Sequence, residues 1–194
     1  MRLVCLDPFM SHVLEKLLIL KSFCKSDAVI KSDNSSEWLL KVCRFVTNNA
    51  EDFCHDTYAS HLLRTCTECL MGLRAAQTGG NQSRTQGYDE RAVWRLAGDQ
   101  ELVKECDEVL EIFTNRLLTL SPDSLVSELC VRVIHVFCSL GVTRHQDHVK
   151  KIITHLIQSV LSTGVDLEDN NIVRSATLFV HHIVSIVLIR EILM

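Results

Sequence analysis

Apolar residues recur at three- and four-residue spacing along most of this chain, and that period admits helices while leaving little room for strands. Trp38, Leu39, Val42, Phe45 and Val46 form one such stripe. Leu102, Cys106, Val109, Leu110, Phe113 and Leu117 form a second, and Leu125, Leu129, Val133, Val136, Phe137 and Leu140 a third. Val149, Ile152, Ile153, Leu156, Ile157 and Val160 give the cleanest amphipathic pattern. No window alternates at period two for long enough to predict a strand. The punctuation agrees: two prolines and seven glycines in 194 residues, five of the glycines at 72, 79, 80, 87 and 98, leave long uninterrupted stretches elsewhere. The fold class expected is all-α, with seven or eight helices in antiparallel succession, as in a bundle or an α-solenoid.

Local chemistry marks the boundaries. Ser121 before Pro122 reads as an N-cap with proline at the first helical position, where its missing N–H is harmless. Thr143 with Gln146 resembles a capping box opening a helix that runs through Leu161. Gly141 and Gly164 stand where left-handed C-terminal caps are expected. Lys31 to Ser36 reads as a polar connection, and Ala75 to Gln100 as a mobile polar insertion whose Trp94 docks on the body. The chain thus divides into 1–74, an insertion at 75–100, and a helical half at 101–194.

Composition narrows the function classes. With 47% apolar residues, a large core can form and wholesale disorder is excluded. The formal net charge of −4 supplies no global basic field, so any nucleic acid would have to be held by a local patch. Nine cysteines without a regular framework, and a start carrying Asp7, Pro8 and Glu15 where a signal peptide needs an apolar run, point to a reducing intracellular setting. The apolar run from Ala176 to Ile189 is too short to span a bilayer comfortably and reads as a buried helix.

One segment recurs. Asp7-Pro8-Phe9-Met10-Ser11-His12-Val13-Leu14-Glu15 aligns with Asp56-Thr57-Tyr58-Ala59-Ser60-His61-Leu62-Leu63-Arg64. On a helix, the serine and the charged residue four positions later lie one turn apart, with the histidine beside them. A hydroxyl, an imidazole and a charged tip on one surface suit an unpaired RNA base: the ring stacks on it and the flanking groups bond its edge. Asp-x-Phe/Tyr-x-Ser-His-Val/Leu-Leu-Glu/Arg resembles the RNA-facing helix of pumilio repeats. DTYASHLLRTC and DPFMSHVLEKLL are similar, more narrowly, to the nucleolar pumilio-like proteins of small-subunit ribosome biogenesis.

The resemblance implies an α-solenoid of pumilio-like, armadillo-like helical repeats, with two recognisable repeats in 1–74 and more divergent ones in 101–194. It implies Ser11, His12, Glu15, Ser60, His61 and Arg64 as the RNA-binding residues, pre-ribosomal RNA as ligand, ribosome-assembly proteins as further partners, and a nucleolar or nuclear location. No catalysis, cofactor, membrane or small-molecule substrate is part of that reading. The two signatures are spaced more widely than the family's repeat. Cys130-Val131-Arg132-Val133-Ile134-His135 reads as a degenerate third copy without the serine, and no room is left before Asp7 for a preceding helix. With the apolar end at Ile192-Leu193-Met194, these features suggest a fragment or shortened isoform.

Each feature also has a plainer account. His12 and His61 suit half-buried helix contacts, and Glu15 and Arg64 suit solvated charges or a weak ion pair. Cys66-x-x-Cys69, with Cys54 and His55 upstream, suits a helix core better than zinc. His145-x-x-His148 and His181-His182 read as helix-surface histidines, and no phosphate loop, nucleophile elbow or HExxH occurs. The rival function is a HEAT- or armadillo-like protein–protein scaffold. A metal-dependent helical-bundle enzyme is the third class.

Overall fold

A computed structural model of the chain describes residues 1–23, 34–73, 94, 99–125, 127–141 and 144–162. All regular secondary structure among these residues is helical: α1 Arg2–Leu6, α2 Pro8–Phe23, α3 Asn34–Asn48, α4 Ala50–Phe53, α5 Thr57–Met71, α6 Gln100–Leu118, α7 Pro122–Leu125, α8 Glu128–Gly141 and α9 Gln146–Ser162. The order is short–long–long, three times over. No helix among the described residues is long and apolar enough to cross a membrane.

The three trios are laid side by side. Helix α5 packs between α2 and α8 in one layer, and α6 packs against α3 and α9 in the other. The short helices sit along an edge, α1 against α2 and α5, α4 against α5 and α6, α7 against α8 and α9. Polar ties repeat the same neighbour relations. Arg2 reaches Asp52 of α4 at 2.8 Å, Arg44 of α3 reaches Glu105 of α6 at 3.2 Å, and Thr65 of α5 donates to Glu15 of α2 at 3.2 Å.

The stripes expected from spacing form the interior. Leu39, Val42 and Val46 of α3, Cys106, Val109, Leu110, Phe113 and Leu117 of α6, and Val133 and Phe137 of α8 are buried. Two details differ. Leu125 lies in α7, since the chain turns through Ser127 before α8 begins, and Ile157 is exposed on α9. Helix α1 supplies a preceding element where the sequence reading leaves no room for one. At five residues it is too short to show a period.

The caps explain where the long helices start. Asp56 accepts from the Tyr58 and Ala59 amides at 2.9 and 2.7 Å, and Asp7 accepts from Phe9 and Met10 in the same way. The aspartate shared by the two signatures is therefore an N-cap, satisfying two of the helix's otherwise unpaired donors. Asp56→Ala is expected to lower stability by about 1 kcal/mol, within the ~0.5–2 kcal/mol range of such caps. A denaturant midpoint unchanged from the natural protein would show that the cap is replaceable by solvent.

Ser121 caps α7 as expected, its hydroxyl accepting from the Ser124 amide at 3.2 Å. Helix α9 opens at Gln146, two residues later than a Thr143 cap implies, and its first turn hangs on the His145 carbonyl. Thr143 itself, Gly164, Lys31 to Asp33, the Ala176 to Ile189 run, His181 and His182 lie outside the described residues; Asn34, Ser35 and Ser36 belong to α3. Of the Ala75 to Gln100 insertion, Trp94 is described and is buried at 7% exposure, while Asp99 caps α6 and Gln100 opens it. Gly141 is helical rather than left-handed. Its missing Cβ admits Val149 of α9, whose Cγ2 would lie 2.7 Å from one. The left-handed cap is Gly72, at φ +66° after α5.

Candidate nucleic-acid interface

Aligning the long helices of the layer α2–α5–α8 on their caps gives one register for all three. Asp7, Asp56 and Ser127 take the cap position, the Ser127 hydroxyl lying 3.4 Å from the Cys130 amide. Four residues on stand Ser11, Ser60 and Val131. Next come His12, His61 and Arg132, and three residues later Glu15, Arg64 and His135. The Cys130 to His135 segment falls in this register on α8. It presents arginine where the first two present histidine, and histidine where they present a charge.

The serine position is interior in every copy. Ser11 and Ser60 are 5% and 1% exposed, and Val131 is buried at the equivalent site. Ser11 donates to the Pro8 carbonyl at 3.3 Å and Ser60 to the Thr57 carbonyl at 3.0 Å, each inside its own first turn. This corrects the expectation of a hydroxyl, an imidazole and a charged tip sharing one surface. The surface pair is the imidazole and the charge, while the hydroxyl fastens the turn that carries them.

The surface positions of adjacent helices lie close enough to feel one another. His12 Nδ1 is 3.4 Å from Glu15 Oε2, and the other Glu15 oxygen accepts from Thr65 of α5. Glu15 is therefore fixed from both sides. Arg64 folds back toward the Ser60 carbonyl, its Nε at 3.4 Å. His61 is held below the usual imidazole range by partial burial first, then by Arg64, with Arg132 and His12 adding to the effect and Glu15 opposing it. The ring is accordingly uncharged at pH 7. Partial burial and the neighbouring Arg132 lower Arg64 as well, though a guanidinium stays charged in proteins. Arg132 itself pairs with Glu128 on its own helix.

Exposed His12, His61 and Arg132 thus run across three neighbouring helices, with half-buried Arg64 on α5 and two carboxylates, Glu15 on α2 and Glu128 on α8. Arg64 and Arg132 are matched in number by these two carboxylates, so the positive charge on this face is local to the two guanidinium groups.

Other chemistry weighed from the sequence is placed elsewhere. Cys66 and Cys69 are fully buried in the core. Burial pushes the Cys69 thiol well up, and Cys66 is also raised, burial and Cys69 outweighing a hydrogen bond with Cys43 that favours its ionised form. Burial takes Cys106 and Cys138 to about 12. Such thiols stay protonated and do not act as nucleophiles. No group of three metal-ligating side chains occurs among the described residues.

His145 departs from the surface placement expected of it. It is buried at 8% exposure, with Nε2 unpartnered and Nδ1 3.9 Å from Asp107. Burial holds its ring below the usual range, Asp107 opposing and Arg144 and His148 reinforcing. His148, half-buried, meets Thr114 at 3.2 Å. Compared with known proteins, the chain matches no family model, no curated protein and no solved structure.

Proposed function

We propose that this chain is a non-catalytic RNA-binding protein of the α-solenoid type, reading unpaired bases along the α2–α5–α8 face. The observation that carries the reading is the shared register of His12, His61 and Arg132, with Glu15, Arg64 and His135 one turn further on. Each helix offers a flat group on which a base can stack and a second group to bond its edge. The pattern repeats helix by helix, as a single strand repeats nucleotide by nucleotide. An imidazole that is uncharged at neutral pH stacks without first shedding a tightly held hydration shell. Arg64 and Arg132 contribute both a stacking plane and charge toward phosphates. Ser11 and Ser60 act indirectly in this scheme, by setting the helical turn beneath the histidines.

The sequence similarity of DTYASHLLRTC and DPFMSHVLEKLL to nucleolar pumilio-like proteins supports pre-ribosomal RNA as the ligand, small-subunit assembly as the process and the nucleolus as the place. A HEAT- or armadillo-like protein scaffold is the second reading, favoured by the apolar residues exposed on α2.

The test is a binding isotherm with short single-stranded and structured pre-ribosomal RNAs. The natural chain is compared with His12→Ala/His61→Ala/Arg64→Ala, and Arg132→Ala serves as a separate variant. The triple variant is expected to lose at least about tenfold in affinity, since each stacked base contributes roughly 1–3 kcal/mol. Affinity should fall steeply with added salt as phosphate contacts release counterions. A folded natural chain that binds none of these RNAs, or a triple variant with unaltered affinity, would overturn the reading.

A further inference from the structure

His145 stands at the corner where α8 gives way to α9, and its backbone joins the two. Its amide donates to the Gly141 carbonyl at 2.8 Å, and its carbonyl accepts from the Val149 amide at 3.1 Å, opening the ladder of α9. Helix α8 meets its side chain with Gly141, Met71 of α5 reaches the same corner, and α6 presents Asp107. The ionisable groups acting on the buried ring are Asp107, which favours its charged form, and Arg144 and His148, which oppose it together with burial. Neither ring nitrogen has a good partner. Nε2 has none, and Nδ1 lies 3.9 Å from an Asp107 oxygen, about 1 Å too far for a charge-assisted hydrogen bond. A neutral ring holds one proton, which Nδ1 can carry toward Asp107 while Nε2 keeps a bare lone pair. A cationic ring must donate from both nitrogens, and its Nε2–H would find no acceptor. The charge would also fall at the N-terminal end of the α9 dipole, where a cation is disfavoured.

We propose that His145 is an acid-sensitive latch: on taking up a proton, it frees the first turns of α9 from α6 and α8. Released into water, the ring has the ordinary imidazole affinity for protons, about 6.5 on the pH scale, and in the closed corner a lower one. The latch therefore holds fully above that ordinary value. As pH falls through it, the open form takes up a proton that the closed form refuses. Opening then gains up to about tenfold per pH unit, until the closed ring is protonated as well. Few other contacts hold these turns. His148 meets Thr114 of α6 at 3.2 Å, and Val149 and Ile152 are the first apolar side chains of α9 to be buried. Helix α9 packs on α6, α7 and α8, whereas α2, α3 and α5 pack on one another, so its first turns can open while that part of the fold stays closed.

Amide hydrogen exchange of the full chain tests this, read by mass spectrometry about one pH unit above and one below the ordinary imidazole value and corrected for the intrinsic rate at each pH. Opening of the first turns of α9 should rise by roughly three- to tenfold at the lower pH. It should rise more than that of α3, which contains no histidine. His145→Gln and His145→Phe carry no ionisable group at this position. Each, compared with itself at the two pH values, should lose the acid response of α9 whatever its basal stability. Asp107→Asn removes the carboxylate that favours the charged ring, so its response should exceed that of the natural chain. A histidine with only a packing role would leave that response unaltered, and such a result would sink the latch. A natural chain whose α9 exchanges equally at both pH values would overturn it too. So would His145→Gln and His145→Phe chains that keep the natural response.

Discussion

Phe113→Ala should lower the stability of the folded chain by about 3–5 kcal/mol, the range found when a fully buried aromatic ring is cut back to a methyl group. Phe113 sits on α6 with no exposed surface and meets the Phe137 ring of α8 edge-on, centroids 5.8 Å apart and planes at 66°. The ring therefore bridges the two helix layers, and its removal leaves a cavity that neither long helix can close without tilting. Small domains hold only about 5–15 kcal/mol in total, so this one change removes a large share. At roughly 2–4 °C per kcal/mol for a chain of this size, the melting temperature should fall by about 6–20 °C. Phe45→Ala is the useful comparison. Phe45 pairs with Phe53 at 6.2 Å but is only partly buried, so its loss should be smaller. Equal losses at both sites, or a loss under about 1.5 kcal/mol at Phe113, would mean that the layers are not joined through this ring.

The same packing shows what a reader of the sequence can and cannot see. The stripes of α3, α6 and α8 are legible because burial on one side of a helix imposes its period directly on the letters. Ser121-Pro122 is legible because cap and first-turn preferences are local. The third copy is harder to see. Compared by its surface letters it lacks the serine, but that serine is a buried position that valine fills equally well. What repeats is the cap with apolar residues three, six, ten and thirteen positions beyond it, and Asp, Asp and Ser at the cap do not look alike as letters. A glycine at the end of a helix is equally ambiguous. Gly72 supplies a left-handed cap and Gly141 a close helix approach, a difference set by the partner residues Trp94 and Val149. His145 is buried just ahead of α9, which starts two residues later than its polar start suggests. No local preference fixes that. Among the candidate residues, the helical register that His12, His61, Glu15 and Arg64 share was legible from spacing alone. Arg132 and His135 became legible only once α8 was aligned on Ser127.

Gly72 is where the ambiguity carries the largest consequence, and Gly72→Ala is expected to cost about 2.5–5 kcal/mol. Two separate penalties combine. At φ +66° an alanine sits in the left-handed region, at roughly 1–2 kcal/mol. Its Cβ would also fall 2.4 Å from Trp94 Cε3 and 2.6 Å from Trp94 Cδ2, so the indole must leave its place over the end of α5 and give up buried apolar area of about 1.5–3 kcal/mol. The two parts are separable. Gly72→Asn tolerates the left-handed backbone yet keeps the collision, so it should retain most of the indole's share of the loss. Trp94→Ala removes the obstacle, so adding Gly72→Ala to it should cost only the backbone penalty, a strong departure from additivity. With Trp38 replaced by phenylalanine, the emission of Trp94 reports its position. It should shift to the red in Gly72→Ala and Gly72→Asn as the ring meets water. An unshifted emission with a loss below about 1 kcal/mol would show that the indole is not seated on Gly72.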